Sequence, residues 1–422
     1  MNAIDKKARS SVFRDRDALR EQYSPDSLVG RDDEWDRLTD ELMDIYWGDL
    51  PDDIVIYGPN GSGKTETIRK ALDGFETAEG VQTDLVTARV NCTNAKNDTD
   101  LARLVINEFR FKHEKVKRGS HDVYETLWEE LDSLGTEDEE TILLLVLDEI
   151  ARSNSIDEFV YQFSRSTDEF LDTVRPCLVA VSSDASIMED LDSDSESSFN
   201  PTEIQFDPYD ANQLRQILKH RADVAFRDTE LVETGQGLVL DSEVLADDVI
   251  PLAAAVSTAD GAGDARKALD VLSKAGKLAY REQAEQVTAE HVREAEERYS
   301  EEQVLRLLRK LDDNGQAIAY ALVTLIADGM EAPSTARVYK RYKRIVNHGG
   351  KDAVSKRWAR NHLNRLDKLG LTDAHTEDGQ GSPKVHPLSG YEVETVLGAL
   401  SQQVEFYGAH ESIANLENVV AE

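Results

Sequence analysis

Gly58-Pro-Asn-Gly-Ser-Gly-Lys-Thr65 constrains this chain more than any other segment. It fits the pattern G-x-x-x-x-G-K-[ST]. Before it, Asp53-Ile-Val-Ile-Tyr57 is an apolar run of strand length. After it, Thr65 to Phe75 has helical apolar spacing, with Gly74 near its end. Strand, glycine-rich loop and helix in that order predict a phosphate cradle. Pro59, Asn60, Gly61, Ser62 and Gly63 would turn backbone N–H groups inward, and the helix start adds partial positive charge. Lys64 is expected to reach the β- and γ-phosphates, and Thr65 to bind Mg²⁺. A chance glycine turn would lack the flanking pattern.

A companion lies downstream. Thr141-Ile-Leu-Leu-Leu-Val-Leu-Asp148 is continuously apolar until its last residue, as in a central parallel strand. Asp148 at its end can hold hydrated Mg²⁺, and Glu149 can orient or deprotonate a water. Leu85 to Asn91 and Pro176 to Ser182 read as further strands. Helices are expected at Arg31 to Trp47 and, broken near Gly119, from Asp98 to Leu134. Such alternation predicts a doubly wound α/β layer with a parallel sheet. After Pro208 the chain reads as mostly helical to Tyr299, then as amphipathic helices from Glu301 and a hairpin-like stretch from His375 to Pro387. Gly263-Asp-Ala-Arg266 starts a helix. From spacing alone, Arg266 either reaches a γ-phosphate or pairs with Asp264 or Asp270.

Composition narrows the function classes. The chain has 422 residues, 83 Asp or Glu against 48 Lys or Arg, and a net charge of −35. Its length suits two to four domains. No run approaches ~18 apolar residues, so no membrane span is expected. Met1 to Arg20 has no apolar core of a signal peptide. Cys92 and Cys177 are too few for a disulfide scaffold or a four-cysteine zinc site. A cytoplasmic protein is the expectation. The acidity fits either an acidic interaction protein or adaptation to molar salt, and the even spread of carboxylates favours salt. One stretch breaks the pattern. Pro333 to Gly370 holds eleven basic and two acidic residues, a surplus of nine that leaves −44 on the remainder. Thr335 to Val346 reads as one helix, with Arg337, Lys340, Arg341, Lys343 and Arg344. Val354 to Gly370 reads as a second, with Lys356, Arg357 and Arg360 near its start and Trp358, Leu363, Leu366 and Leu369 on its apolar side. That is helix-turn-helix logic, in which early residues of the second helix reach base edges in the major groove.

Taken in order, these blocks resemble the archaeal AAA+ replication initiators of the origin-recognition-complex subunit one and cell-division-cycle type. The likeness runs from Tyr23-Ser-Pro-Asp-Ser-Leu-Val-Gly-Arg31 through the phosphate loop, Val90-Asn-Cys92 and Leu147-Asp-Glu-Ile150. It continues through Phe206-Asp-Pro-Tyr-Asp-Ala211, Gly263-Asp-Ala-Arg266 and the basic C-terminal block to Leu371. The resemblance implies a basic arm over 1–25, an AAA+ nucleotide-binding α/β domain over 26–205, a helical lid over 206–300 and a winged-helix domain over 301–422. It implies ATP or ADP as cofactor with Mg²⁺. Val29 then lies in the segment beside the adenine, Tyr209 and Arg221 approach the nucleotide from the lid, and Arg266 is sensor 2. It further implies duplex origin DNA as partner, a replicative helicase or its loading machinery, and assembly with other copies on DNA. Lys384, after Gly379-Gln-Gly-Ser-Pro, would sit beside a phosphate at a wing tip. Lys115, Lys117 and Arg118, with Arg110 and Lys112, form a second basic cluster where the initiators carry a DNA-touching insertion; an exposed helix end explains the cluster equally well. The chain departs from the family at three points. Ser183 stands where the sensor-1 Asn is usual, Ala151 replaces an Asp, and Asp194 stands where relatives often have an Arg that acts on a neighbour's ATP. Tight nucleotide binding with slow hydrolysis is therefore expected. The alternative is a diverged paralogue serving as an ATP-gated DNA-binding regulatory or plasmid-maintenance switch.

Overall fold

The structure, a computed structural model, describes residues 12–25, 27–109, 121–136, 141–150, 157–166, 170–188, 199–235, 237–259, 261, 263–348, 351–376 and 384–403. It forms two compact units that divide between Leu269 and Asp270.

In the first unit, α1 (Asp32–Trp47), β1 (Ile54–Tyr57), α2 (Lys64–Thr77), β2 (Asp84–Asn91), α3 (Asp98–Phe109), α4 (His121–Asp132), β3 (Thr141–Asp148), α5 (Asp157–Ser164), β4 (Val174–Ser182) and β5 (Thr202–Gln205) alternate. The strands make one parallel sheet in the order β2-β3-β4-β1-β5. Every residue of β3 is buried, which is why its sequence has no polar alternation. Both sheet faces are covered. Leu143, Leu145 and Leu147 pack with the α3, α4 and α5 side. Ile142, Leu144 and Val146 pack with Leu38, Leu42 and Ile45 of α1 and Ile68, Ala71 and Leu72 of α2. Register sets the site: Tyr57 pairs with Ser182 and Asp148 with Val181. The ends of β1, β3 and β4 thus open on one sheet edge, where open α/β sheets bind ligands.

The same unit continues through α6 (Ala211–Ala225), β6 (Thr229–Thr234), β7 (Gly237–Ser242), α7 (Val249–Thr258) and the start of α8 (Ala265–Glu282). The antiparallel β6–β7 hairpin interrupts a stretch expected to be mostly helical. Leu231 faces Leu240 and Val232 faces Val239, a period-two pattern. The strand β5 and the helix α5 also went unread from the sequence.

The second unit holds the rest of α8, α9 (Ala289–Leu308), α10 (Asp313–Ala327), α11 (Thr335–His348), α12 (Lys356–Lys368), β8 (His375–Thr376), β9 (Lys384–Val385) and α13 (Val393–Gln403). Its core is built on α10, whose Ala317 to Val323 are all buried, with Tyr342, Leu363, Leu366 and Leu400 packed around. β8 and β9 pair antiparallel beside α11, where Thr335 Oγ1 meets His386 Nε2 at 2.9 Å. Two adjacent basic helices and a short hairpin make a winged-helix arrangement. No helix among the described residues is long and apolar enough to cross a membrane.

Candidate functional site

The glycine-rich loop leaves β1 and feeds α2, whose first residue is Lys64. Lys64 Nζ donates to the carbonyls of Gly58 (2.7 Å) and Pro59 (2.8 Å) of its own loop. Burial is the main reason its pKa falls to about 8. Ser62 Oγ accepts from Lys64 Nζ as well, at 3.4 Å, and a buried ammonium whose hydrogen-bond acceptors are neutral oxygens is naturally complemented by a polyphosphate.

Residues beyond the sheet close over this loop. Gly61 has φ 74° and Gly63 φ 93°, backbone regions that side chains avoid. A Cβ on Gly61 would overlap the carboxylate of Asp264, and one on Gly63 would crowd the hydroxyl of Tyr209. Asp264 accepts from the N–H groups of Arg266 (2.8 Å) and Lys267 (3.2 Å), fixing the start of α8. Ala265 N–H donates to Gly61 O at 3.2 Å, so that helix start rests on the phosphate loop. Arg31, 3 % exposed, is the clamp beneath: its Nε donates to Ser62 O at 2.8 Å, its Nη2 to Asp207 O, and its Nη1 to Glu34. Its guanidinium stacks 3.8 Å from the Tyr209 ring centroid.

The acidic side is equally crowded. Asp148 Oδ2 accepts from Thr65 Oγ1 at 3.2 Å and from Arg89 Nη2 at 2.7 Å. Glu149 follows at φ 61°, a left-handed conformation rare for a non-glycine residue and typical of functional turns. Ser183 lines the cleft just beyond β4. Arg266 Nε pairs with Glu21 at 2.8 Å. The guanidinium of Arg221, mostly buried and lowered in pKa by that burial, lies 4.6 Å from the Tyr23 ring. Its Nη1 has no hydrogen-bond partner among the described residues.

These groups bound one open cleft of about 1050 Å³, a volume that includes its solvent-filled mouth. Val29, Asn60, Gly61, Ser62, Gly63 and Lys64 line one part of it. Thr65, Asp148, Glu149, Ser183, Arg221 and Arg266, with Tyr209, line the rest. Pro59 contributes its carbonyl to Lys64 instead of lining the cleft. Sequence alone gives no role to Glu21, Arg31 or Arg89, although Arg31 ends the Tyr23–Arg31 segment of the family likeness, and it offers Asp264 only as a possible partner of Arg266. The donors suit a nucleoside triphosphate with Mg²⁺. The loop presents N–H groups, three cationic side chains surround it, and Thr65 Oγ1 and Asp148 Oδ2 are close enough to share one hydrated cation. No cluster of three His, Cys, Asp or Glu that could bind a metal unaided exists among the described residues.

In the second unit, α11 exposes Arg337, Lys340, Lys343 and Arg344, whereas Arg341 is buried against Asp328 at 2.7 Å. α12 exposes Lys356, Arg357 and Arg360 and buries Ala359, His362, Leu363 and Leu366. Trp358 is 60 % exposed, which corrects its assignment to the apolar side. Lys384 Nζ donates to Asn364 Oδ1 at 3.1 Å and lies 4.0 Å from Asp367 Oδ2, so it ties β9 to α12. Lys115, Lys117, Arg118, Ala151, Asp194 and the wing tip at 379–383 lie outside the described residues.

Fold and cleft together define a nucleotide-binding AAA+ module joined to a winged helix. Comparisons agree piece by piece. Residues 53–182 match an AAA domain, 229–297 the Cdc6 AAA+ ATPase-type lid domain and 306–386 the CDC6 C-terminal winged helix domain. The ORC1-type DNA replication protein 2 of Haloarcula marismortui is 34% identical over 413 residues, 96% of this chain and 94% of that protein. That of Thermococcus onnurineus is 31% identical over 86% of this chain and 84% of its own length. The Aeropyrum pernix ORC1 protein, solved in complex with DNA, superposes with a TM-score of 0.75 at 29% identity, covering 96% of this chain and 98% of that one. The chain belongs to the family of ORC1-type DNA replication proteins.

Proposed function

We propose that this chain is an ATP-dependent DNA replication initiator. It binds duplex origin DNA through its winged helix and its AAA+ module, and slow ATP hydrolysis serves as the switch. One observation carries the reading: a phosphate cradle and an exposed two-helix basic surface occur on a chain that is elsewhere strongly acidic. A solved relative bound to DNA supports it.

The loop N–H groups and Lys64 bind the β- and γ-phosphates. Thr65 and Asp148 would hold hydrated Mg²⁺, which neutralises charge on those phosphates. Glu149 orients the attacking water, and Ser183 contacts it with a shorter reach than an Asn would have. Two ion pairs argue for slow turnover. Arg89 holds Asp148, and Glu21 holds Arg266, so both partners must be exchanged before the site is assembled. The acidity reflects a cytoplasm of molar salt, in which phosphate contacts alone bind DNA weakly. Base contacts and two simultaneous footholds then carry much of the affinity. Other copies on DNA and the helicase-loading machinery are the further partners.

Genome-wide immunoprecipitation at native salt, with Lys64→Ala as comparison, tests this. Peaks at intergenic origins that depend on Lys64 are expected. Peaks scattered over promoters with none at origins would favour the regulatory paralogue, which Ser183 lining the cleft also suits.

A further inference from the structure

Among the described residues, Trp358 is the most exposed large hydrophobic side chain, at 60 %. It lies in the first turn of α12, directly after Lys356 and Arg357 and two residues before Arg360. Ser355 caps that turn, accepting from Trp358 N–H at 3.4 Å, so the helix start is held in place. On a helix advancing ~100° per residue, Trp358 sits about a quarter turn from the buried stripe of Ala359, His362, Leu363 and Leu366. Its indole touches that stripe only at the edge, with its centroid 6.2 Å from the ring of His362. An indole held outward on a rigid helix whose exposed arc also carries Lys356, Arg357 and Arg360 is configured for an anionic partner that also offers apolar surface.

Resting on the DNA-binding reading above, we infer that Trp358 is a specificity-determining residue that reads thymine in the major groove of the target duplex. The argument is one of complementary charge and chemistry. The surrounding stretch carries nine surplus positive charges on a chain of −35, so the occupant of this face is polyanionic. Early residues of a recognition helix reach base edges. The thymine C5 methyl is the apolar group on the major-groove edge, and only A·T pairs present it. Salt adds a reason for an indole here. Contacts from Lys356, Arg357 and Arg360 to phosphates weaken steeply as salt rises, whereas burial of an indole against a methyl is not screened.

The test uses the full-length chain with ATP and Mg²⁺ in molar KCl. The probe is a duplex enriched by that chain from fragments of its own genome. Each thymine in the protected site is replaced singly by deoxyuridine, which removes the methyl and leaves pairing intact. Wild type is expected to lose about fourfold in affinity at one or two positions, the worth of one buried methyl group. Trp358→Ala is expected to lose about tenfold or more on the thymine duplex and to show no further loss on the deoxyuridine duplex. Trp358→Phe keeps part of the discrimination. The salt slope of Trp358→Ala stays that of wild type, whereas Lys356→Ala lowers it by about one. Equal affinity of Trp358→Ala and wild type for the thymine duplex would overturn the inference and assign the indole to a protein partner. So would an unchanged methyl dependence in the alanine variant. If no fragment is enriched at all, the DNA-binding reading itself fails.

Discussion

Arg31 joins two segments that are remote from it in sequence: Ser62 of the phosphate loop, and the stretch before α6 that holds Asp207 and the ring of Tyr209. With this side chain removed, the buried carbonyl of Ser62, the carbonyl of Asp207 and the Glu34 carboxylate lose a donor. Arg31→Ala is expected to lower stability by about 3 kcal/mol and to loosen Tyr209 from Gly63. Denaturant unfolding with and without ATP reads this, and a variant as stable as wild type that binds ATP normally would refute the clamp. Glu21 acts in the opposite sense. Its carboxylate pairs with Arg266 and would compete there with the γ-phosphate of the proposed nucleotide. Glu21→Gln is expected to bind ATP several-fold more tightly, the worth of an exposed ion pair of up to ~1 kcal/mol, and to leave ADP binding unchanged. Equal changes for both nucleotides would contradict that role. At this scale the loop and Asp148 were legible because their spacing is their chemistry. Arg31, Arg89 and Glu21 were not, since ordinary surface residues in sequence become site residues only when strands and arm are brought together.

The wing is fastened to α11 through a buried histidine. His386 is fully buried, and burial, aided by Lys384, lowers its pKa to about 4. The unfolded chain therefore takes up that proton first. Its contribution is complete above pH 6.5 and drains as pH falls toward about 4, a change of about 2–3 kcal/mol over the window. His386→Asn should flatten the acid slope of unfolding, and an unchanged slope would dismiss the group. Within α11, Arg341 and Arg337 divide structure from binding. Arg341→Met is expected to disturb stability through Asp328, while Arg337→Ala lowers the salt slope of DNA binding by about one and leaves stability alone. Titrations over a range of KCl concentrations, beside unfolding curves, separate the two. Continuous apolar runs such as β3 were legible because a strand buried on both faces has no alternation to misread. The β6–β7 hairpin was hidden because two short amphipathic strands sit between long helices. Trp358 is hydrophobic in sequence, yet its angle on α12 turns it out of the buried stripe.

Across the whole molecule, the order of motifs along the sequence is enough to identify the AAA+ and winged-helix parts. Pairwise contacts on loops did not follow from that order. The charge map carries the rest of the proposal: on that reading the acidic chain keeps itself hydrated in concentrated salt, and the basic face of α11 and α12 takes up a polyanion. Binding of the full-length chain to fragments of its own genome, in molar KCl with ATP, puts these parts to work together. A preference for a few fragments, diminished by Lys64→Ala and abolished by joint replacement of Lys356, Arg357 and Arg360 with alanine, is the expected result. Retention of all fragments alike, or selection unaffected by either change, would contradict it.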